Sequence, residues 1–500
     1  MSDIPTASGT TVWRLIAGRA HDRPEAPALI EGDRVLSYAG MIAAADRIAA
    51  DLAARGVTRG DRVAVLSENC IEYGLTQLAC AKLGAMVACL NWRLVAPELA
   101  WCIDLVQPRL MLCSARHRDL ARAACPDRKA LDLRSLGCEG EAPDQARPED
   151  GFIIIYTSGT TGRPKAAVIS QRAQIARMCA FRLDLGLARE DGYISWAPMF
   201  HMGGTEHLFS TLLIGGAVTV MDGFDADRII DTLEQQRIGW LMTVPATTEL
   251  LLARLRTRRP RIKGVRVVGA MADMTPAAVI DEVTRRLDAP YLNSFGATET
   301  GMPPLSGDLI RPGEMPRSLA KKLSVLTELR LVGPDGRDVA QGETGEAWVR
   351  GPTLFSGYWN ADEVNRDSFS GGWFHMGDLF RRTPAGYEFA GRSKYLIKSG
   401  GENIYPAEIE RVILADPRVA DAIVVRRPDP HWGEVPVAVV ARCDDSLDEA
   451  GVIALCRGAS LAGYKRPKDV VFVPVERFPR STSGKIIREE VETMVLDATA

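Results

Sequence analysis

Histidine is scarce in this chain, 6 residues in 500, and no two of them are spaced like zinc ligands. The 10 cysteines never form a CxxC pair. Neither a zinc ribbon nor a disulfide framework is indicated, and scattered thiols fit a reducing compartment. Neither charge sign is in excess: 61 Lys and Arg against 64 Asp and Glu leave a formal charge of −3. That balance argues against a nucleic-acid surface or a basic membrane patch. No apolar run approaches the length that spans a bilayer. The opening stretch, "MSDIPTASGTT", lacks a basic segment followed by an apolar one, so no signal peptide is expected. These absences lead to the expectation of a cytoplasmic protein with no membrane span and no nucleic-acid partner.

What is present is an ordinary globular composition, 46% hydrophobic and 25% charged, in a chain longer than one core supports. From Tyr38 to about Ala115, helical and strand patterns alternate. "YAGMIAAADRIAADLAARG" reads as a helix stopping at Gly56, "RVAVLS" as a buried strand, "YGLTQLACAKLG" as a helix and "AMVACLN" as a strand. The alternation restarts at "FIIIYTSG" and continues through "YISWAPM", "AVTVMD", "GWLMTV", "VRVVGA" and "YLNSFG". Such alternation implies parallel sheets covered on both faces. From Leu323 to about Ala390, short strands with glycine-containing turns form a β-rich stretch, and an α+β tail follows. The fold class expected is α/β: two doubly wound α/β lobes plus a β-rich subdomain, then a small α+β C-terminal domain. The basic run "RLRTRRPRIK" at 254–263 has two readings, a solvated helix end or a binding patch, and the first is the ordinary one.

The nine residues "TSGTTGRPK" after "FIIIY" hold Thr157, Ser158, Gly159, Thr160, Thr161, Gly162 and Lys165. They do not fit GxxxxGK[ST], so this is not a Walker loop. Glycines that admit close backbone approach, four hydroxyls and an ammonium are nevertheless the parts of an anion cradle. A polar turn after a strand is the alternative.

Further along, "SFGATETG" (294–301), "GEAWVRGP" (345–352), "GWFHMGDL" (372–379), "GRSKYLIKSGGENIYPAEIE" (391–410) and "PRSTSGKIIR" (479–488) follow in order. With "YTSGTTGRPKAAVIS" they resemble the motifs of the adenylate-forming superfamily, which includes acyl-CoA synthetases, carrier-protein adenylation domains and firefly luciferase. The resemblance covers nearly the whole chain. It is nearest to bacterial aryl-CoA ligases such as 4-chlorobenzoate–CoA ligase.

That resemblance implies an adenylation (AMP-binding) domain over 1–392, a hinge at 393–394 and a mobile C-terminal domain over 395–500. It also implies a reaction in two halves. A carboxylate attacks the α-phosphate of ATP to give acyl-AMP and pyrophosphate, and the thiol of coenzyme A then takes the acyl group. Bringing two anions together calls for cations and oriented donors rather than a protein nucleophile. By resemblance Lys485 is the main catalytic cation, and a compact ammonium suits converging oxyanions. Glu299, with Thr157, holds Mg²⁺, and Thr298 contacts the α-phosphate. Asn293, Ser294, Phe295, Gly296 and Ala297 line the nucleotide. Phe295 stands where the family usually has a tyrosine on adenine; a core aromatic is its plainer reading. Asp378 accepts from the ribose hydroxyls, and Arg392 assists. Met376 replaces a threonine that is common beside that carboxylate.

Lys394 falls at the hinge position, and rotation there is expected to withdraw Lys485 and bring in Gly400 and Gly401 beside the thiol. Trp432, Tyr464, Arg466 and Lys468 are candidates for coenzyme A, with a solvated helix end as the alternative for the last three. His201 is counted with the catalytic residues and with the acyl pocket. Met202, Gly203, Gly204, Val244, Gly269, Ala270 and Met302 complete that pocket. Glu206 and His207 lie near its floor by position, or are satisfied elsewhere. "RPGEMPRSLAKKLSVL" lacks the usual Gly-Arg-Pro turn. The function expected is an ATP-dependent ligase joining an aromatic, alicyclic or medium-chain acid to coenzyme A. The rivals are an enzyme that loads a carrier protein and a non-catalytic nucleotide-binding protein. A homodimer and a protein acetyltransferase acting on Lys485 are further expected partners.

Overall fold

The computed structural model describes residues 9–157, 164–270, 272–314, 318–399, 402–459, 461–480 and 485–499. The chain divides into two compact units, one of residues 1–328 and 350–373, the other of residues 329–349 and 374–500.

The first unit holds two mostly parallel sheets. One has six strands in the order Leu131–Asp132, Leu110–Cys113, Arg62–Leu66, Met86–Cys89, Gly151–Thr157 and Lys165–Ser170. Only its last pair is antiparallel. The other has eight strands and is parallel from Tyr291–Leu292 across to Pro27–Glu31, with an antiparallel strand at each edge. The central strands of both sheets are buried along their length apart from Arg62 at one strand's start, as apolar runs in doubly covered sheets should be. Helix Ile71–Leu83 has every residue but Glu72 buried and shows little amphipathy, since other elements cover it on nearly all sides. It ends at Gly84 in the left-handed region at φ 69°, a conformation glycine adopts without strain.

One strand and one hairpin join the sheet that their neighbours in sequence do not. "FIIIY" was expected to begin the second alternating block, yet it completes the first sheet, with Ile153 beside Val87 and Ile155 beside Cys89. Conversely, the hairpin Pro27–Ser37 precedes the first block but lies in the second sheet, where Leu29 pairs with Val218. Periodicity identifies a strand; it carries no information on which edge the strand will extend.

The second unit has an antiparallel sheet built on Thr344–Arg350, Trp373–Thr383 and Gly386–Arg392. A second sheet is dominated by the long pair Val419–Asp429 and Gly433–Arg442. Helices Pro406–Leu414 and Glu449–Gly458 cover one face of that pair, around Ile409, Ile413, Val424 and Val440. Helix Arg488–Thr499 covers the other, around Val425, Val437 and Val491. Ser393–Tyr395 forms one short turn of 3₁₀ helix at the expected hinge.

Candidate active site

In the first unit, Thr157 ends one strand and Lys165 begins the next, and the two are register partners. Ser158, Gly159, Thr160, Thr161 and Gly162 lie outside the described residues. The Lys165 ammonium sits 5.0 Å from the centre of the Tyr358 ring. The Tyr358 hydroxyl in turn donates to Glu299 Oε1 at 2.7 Å. Burial and the neighbouring carboxylate push the Tyr358 phenol far above its ordinary pKa, so it remains a donor. Lys165, expected in the phosphate loop, and Glu299, the expected metal-holding carboxylate, therefore converge on one tyrosine.

Glu299 belongs to a tight turn over Ala297–Thr300, closed by Thr300 N–H to the Ala297 carbonyl and by Thr300 Oγ1, which accepts from Ala297 N–H. Phe355 N–H donates to the Glu299 carbonyl at 2.9 Å. Phe295 is half-buried on the strand that enters the turn. Asn293 is buried, and its amide donates to Asp308 and to the Leu319 and Ala320 carbonyls while accepting from Lys321 Nζ at 3.0 Å. Its side chain is occupied in holding the strand.

The expected acyl-pocket residues are tied together from behind by aromatic donors. Tyr193 Oη donates to the Gly203 carbonyl at 2.5 Å, Trp240 Nε1 to the Gly269 carbonyl at 2.9 Å, and Tyr291 Oη to the Ala270 carbonyl at 2.8 Å. His201 caps helix Met202–Ile214 and lies against Phe200, Val244 caps helix Pro245–Thr257, and Met302 is buried on the strand after the turn. The glycines are required by packing. A Cβ on Gly204 would collide with the Pro198 carbonyl, and one on Gly269, whose φ is +79°, would enter the Tyr291 ring.

Glu206 is satisfied away from the pocket, by the buried guanidinium of Arg177 at 2.7 Å. His207 is buried among Phe181, Tyr193 and Trp240, with ring centres 4.7, 5.9 and 4.4 Å away. Burial, with Arg177 adding repulsion, lowers its pKa to about 3, so it is neutral. Half of the basic residues in the run 254–263 are paired within the fold: Arg254 with Asp227, Arg256 with Glu282, and Arg258 with Asp227, Asp231 and Glu234.

In the second unit, Asp378 is buried, at 2% exposure, and opposite Arg392 in the strand register. Arg392 Nε donates to its Oδ1 at 3.0 Å. Lys485 is exposed as a residue, but its ammonium end is crowded by protein. That desolvation, chiefly, lowers its pKa; Arg392 lowers it further and Asp378 opposes both. Asp378, Arg392 and Lys485, expected at the ribose and as the catalytic cation, are thus electrostatic neighbours within one unit. Lys394 Nζ donates to Glu489 Oε1 at 2.7 Å, and Tyr395 Oη donates to the same oxygen at 2.9 Å. Trp432, Tyr464 and Lys468 are exposed, while Arg466 directs Nε to the Leu461 carbonyl. Gly400 and Gly401 lie outside the described residues.

The profile of the AMP-binding enzyme family matches residues 16–359, and that of the AMP-binding enzyme C-terminal domain matches residues 408–485. The chain belongs to the AMP-binding enzyme family. Indoleacetate–CoA ligase of Aromatoleum aromaticum is 37% identical over 490 residues, covering 93% of this chain and 94% of that one. Feruloyl-CoA synthase of an Amycolatopsis species is 34% identical over 483 residues, covering 95% and 96%. The o-succinylbenzoate CoA synthetase of Bacillus subtilis, solved with its acyl-adenylate intermediate, superposes with a TM-score of 0.85 at 28% identity, covering 97% and 98%. The same synthetase with ATP and a magnesium ion gives 0.84 at 27% identity, covering 97% and 100%. This AMP-binding enzyme is an acid–thiol ligase that forms an acyl-adenylate and uses ATP, Mg²⁺ and coenzyme A. No helix among the described residues is long and apolar enough to cross a membrane.

Glu299 fits a magnesium ion of the kind that takes one carboxylate and completes its shell with phosphate oxygens and water. It is half-buried, Oε1 is oriented by Tyr358, and no described residue donates to Oε2. Tyr358 and Arg177 were not singled out from sequence. Tyr358 lies in "GYWN", six residues beyond "GEAWVRGP", and only its contact with Glu299 gives it a role.

Proposed function

We propose that this AMP-binding enzyme activates a planar aromatic or aryl-substituted monocarboxylic acid and passes it to coenzyme A. The observation that carries the reading is the aromatic backing of the pocket residues. Tyr193 and Trp240 pin the Gly203 and Gly269 carbonyls, which makes a stiff wall of backbone backed by rings. Such a wall favours a flat ring over a chain that samples many conformers. The likeness to enzymes named for indoleacetate and ferulate supports the same choice.

In this reading Glu299 and Thr157 hold the magnesium ion, which when bound neutralises phosphate charge. Thr298 and the 157–165 loop orient the phosphates, and Asp378 with Arg392 takes the ribose. Lys485 supplies the cation between carboxylate and α-phosphate; its crowded ammonium is already partly stripped of water, which strengthens its attraction for both anions. Gly400–Gly401 with Trp432, Tyr464, Arg466 and Lys468 serves the thiol half-reaction about the Lys394 hinge. A cytoplasmic location, a homodimer and acetylation of Lys485, which would remove its charge, belong to the same proposal.

The test is pyrophosphate release across a panel of indolic, cinnamic, benzoic, alicyclic and C6–C12 straight-chain acids, with the thioester identified by mass. The aryl acids are expected to give kcat/KM at least tenfold above the straight-chain acids. Equal or better turnover of the straight chains overturns the aryl assignment.

A further inference from the structure

Arg177 lies on helix Gln171–Leu185, more than a hundred residues before the Thr298–Glu299 turn that it contacts, and is 1% exposed. Its guanidinium makes four hydrogen bonds. Nη1 donates to Glu206 Oε2 at 2.7 Å, and Nε donates to the Thr353 carbonyl at 2.8 Å. Nη2 donates to the carbonyls of both Thr298 and Glu299 at 3.1 Å. Glu206 is held from two further sides: its carboxylate accepts from the Met302 N–H, and its carbonyl from Gln174 Nε2 at 3.0 Å. Gly301, at φ +78°, closes the same turn, and a Cβ there would lie 2.7 Å from Arg177 Cδ. The backbone of the turn is thus shaped to let the arginine stem pass beneath it.

Burying a guanidinium and a carboxylate carries a large desolvation cost, which a pair of apolar side chains of similar size would avoid. Arginine offers what those side chains lack, several N–H donors in a rigid planar fork. Here the fork grips the two consecutive carbonyls of the residues that carry the α-phosphate contact and the metal carboxylate. The Glu299 side chain is oriented from above by Tyr358 and its backbone from below by Arg177.

We propose that Arg177, neutralised by Glu206, is a positioning residue that sets the Thr298–Glu299 turn for metal–nucleotide binding. It touches neither substrate nor metal. The proposal rests on Glu299 being the magnesium-holding carboxylate.

Arg177→Lys keeps the charge opposite Glu206 but cannot reach four acceptors in one plane. Its expected signature is a folded enzyme whose Mg²⁺ requirement for adenylation rises about tenfold. The KM for the carboxylic acid should stay within twofold, and thiolysis of supplied acyl-AMP should be unchanged. Mn²⁺ affinity, read by electron paramagnetic resonance with α,β-methylene-ATP bound, is expected to weaken about tenfold as well. Arg177→Met combined with Glu206→Leu removes both charges. It should restore the melting temperature without restoring Mn²⁺ affinity. A wild-type Mn²⁺ affinity in Arg177→Lys, or its return in the folded double variant, overturns the proposal. Glu299→Gln measured alongside separates the two assignments. If it leaves Mn²⁺ affinity unchanged, the metal role of Glu299 fails; if it weakens affinity while Arg177→Lys does not, only the role of Arg177 fails.

Discussion

The Tyr358 hydroxyl donates to Glu299 Oε1 at 2.7 Å, while the face of the same ring carries the Lys165 ammonium 5.0 Å from its centre. One side chain thereby relates Lys165 to the carboxylate that fits magnesium. A hydrogen bond to a charged group contributes about 1.5–3 kcal/mol. Tyr358→Phe keeps the ring under Lys165 and deletes only the donor. The adenylation rate at limiting Mg²⁺ should fall roughly 10–100-fold, as measured by pyrophosphate release over a Mg²⁺ titration. An unchanged titration curve would show that Tyr358 does not orient Glu299.

Lys485→Ala removes an ammonium that both members of the Asp378–Arg392 pair influence electrostatically. Loss of such a charge in a crowded site is worth several kcal/mol, so acyl-AMP formation should drop by about 10²–10⁴-fold. Thiolysis of supplied acyl-AMP should survive. Equal loss in both half-reactions would refute a role confined to adenylation.

His207 gives the stability a defined pH dependence. Its folded pKa is about 3, against about 6.5 when unfolded, because burial opposes the charged form. Between those values the unfolded chain binds a proton that the folded chain does not, so stability rises with pH through this window and falls on acidification. By pH 5 the loss from this group alone is about 2 kcal/mol. His207→Phe, placed among Phe181, Tyr193 and Trp240, should flatten the melting temperature between pH 6.5 and 5. A parallel decline in variant and parent would assign the acid sensitivity to other groups.

Gly269→Ala tests the pocket wall. The position has φ +79°, and the added methyl would enter the Tyr291 ring whose hydroxyl holds the Ala270 carbonyl. Backbone strain of about 1–3 kcal/mol plus the clash should lower the melting temperature and weaken acid binding more than ATP binding. Separate KM values for the two substrates read this out. Equal KM changes would remove the wall from acid recognition.

Much of this enzyme is legible from residue order. Strands such as "RVAVLS" and "VRVVGA" are mostly apolar because both faces are covered, and Gly56 and Gly84 stop their helices in the left-handed region. The chemistry is legible for a related reason. Motifs such as "SFGATETG" and "GWFHMGDL" concentrate a function in a few adjacent residues, so neighbours in sequence are neighbours at the site. The structure keeps Asp378 and Arg392 paired as adjacent strands require.

What folding alone decided are the pairings between segments distant in sequence. "FIIIY" entered the first sheet and the Pro27–Ser37 hairpin the second, because a strand's period specifies which side chains are buried and leaves open which edge it extends. Glu206 reads as a pocket-floor residue or one satisfied elsewhere, and Arg177 as an unremarkable charge on another helix, until packing brings them to 2.7 Å and turns both away from water. Tyr358 is an aromatic residue in a loop until it meets Glu299. Electrostatics and hydrogen bonding act over a few ångströms of space and are indifferent to distance along the chain. The identity of the reaction was therefore written in local motifs, and the support that orients its residues only in the tertiary fold.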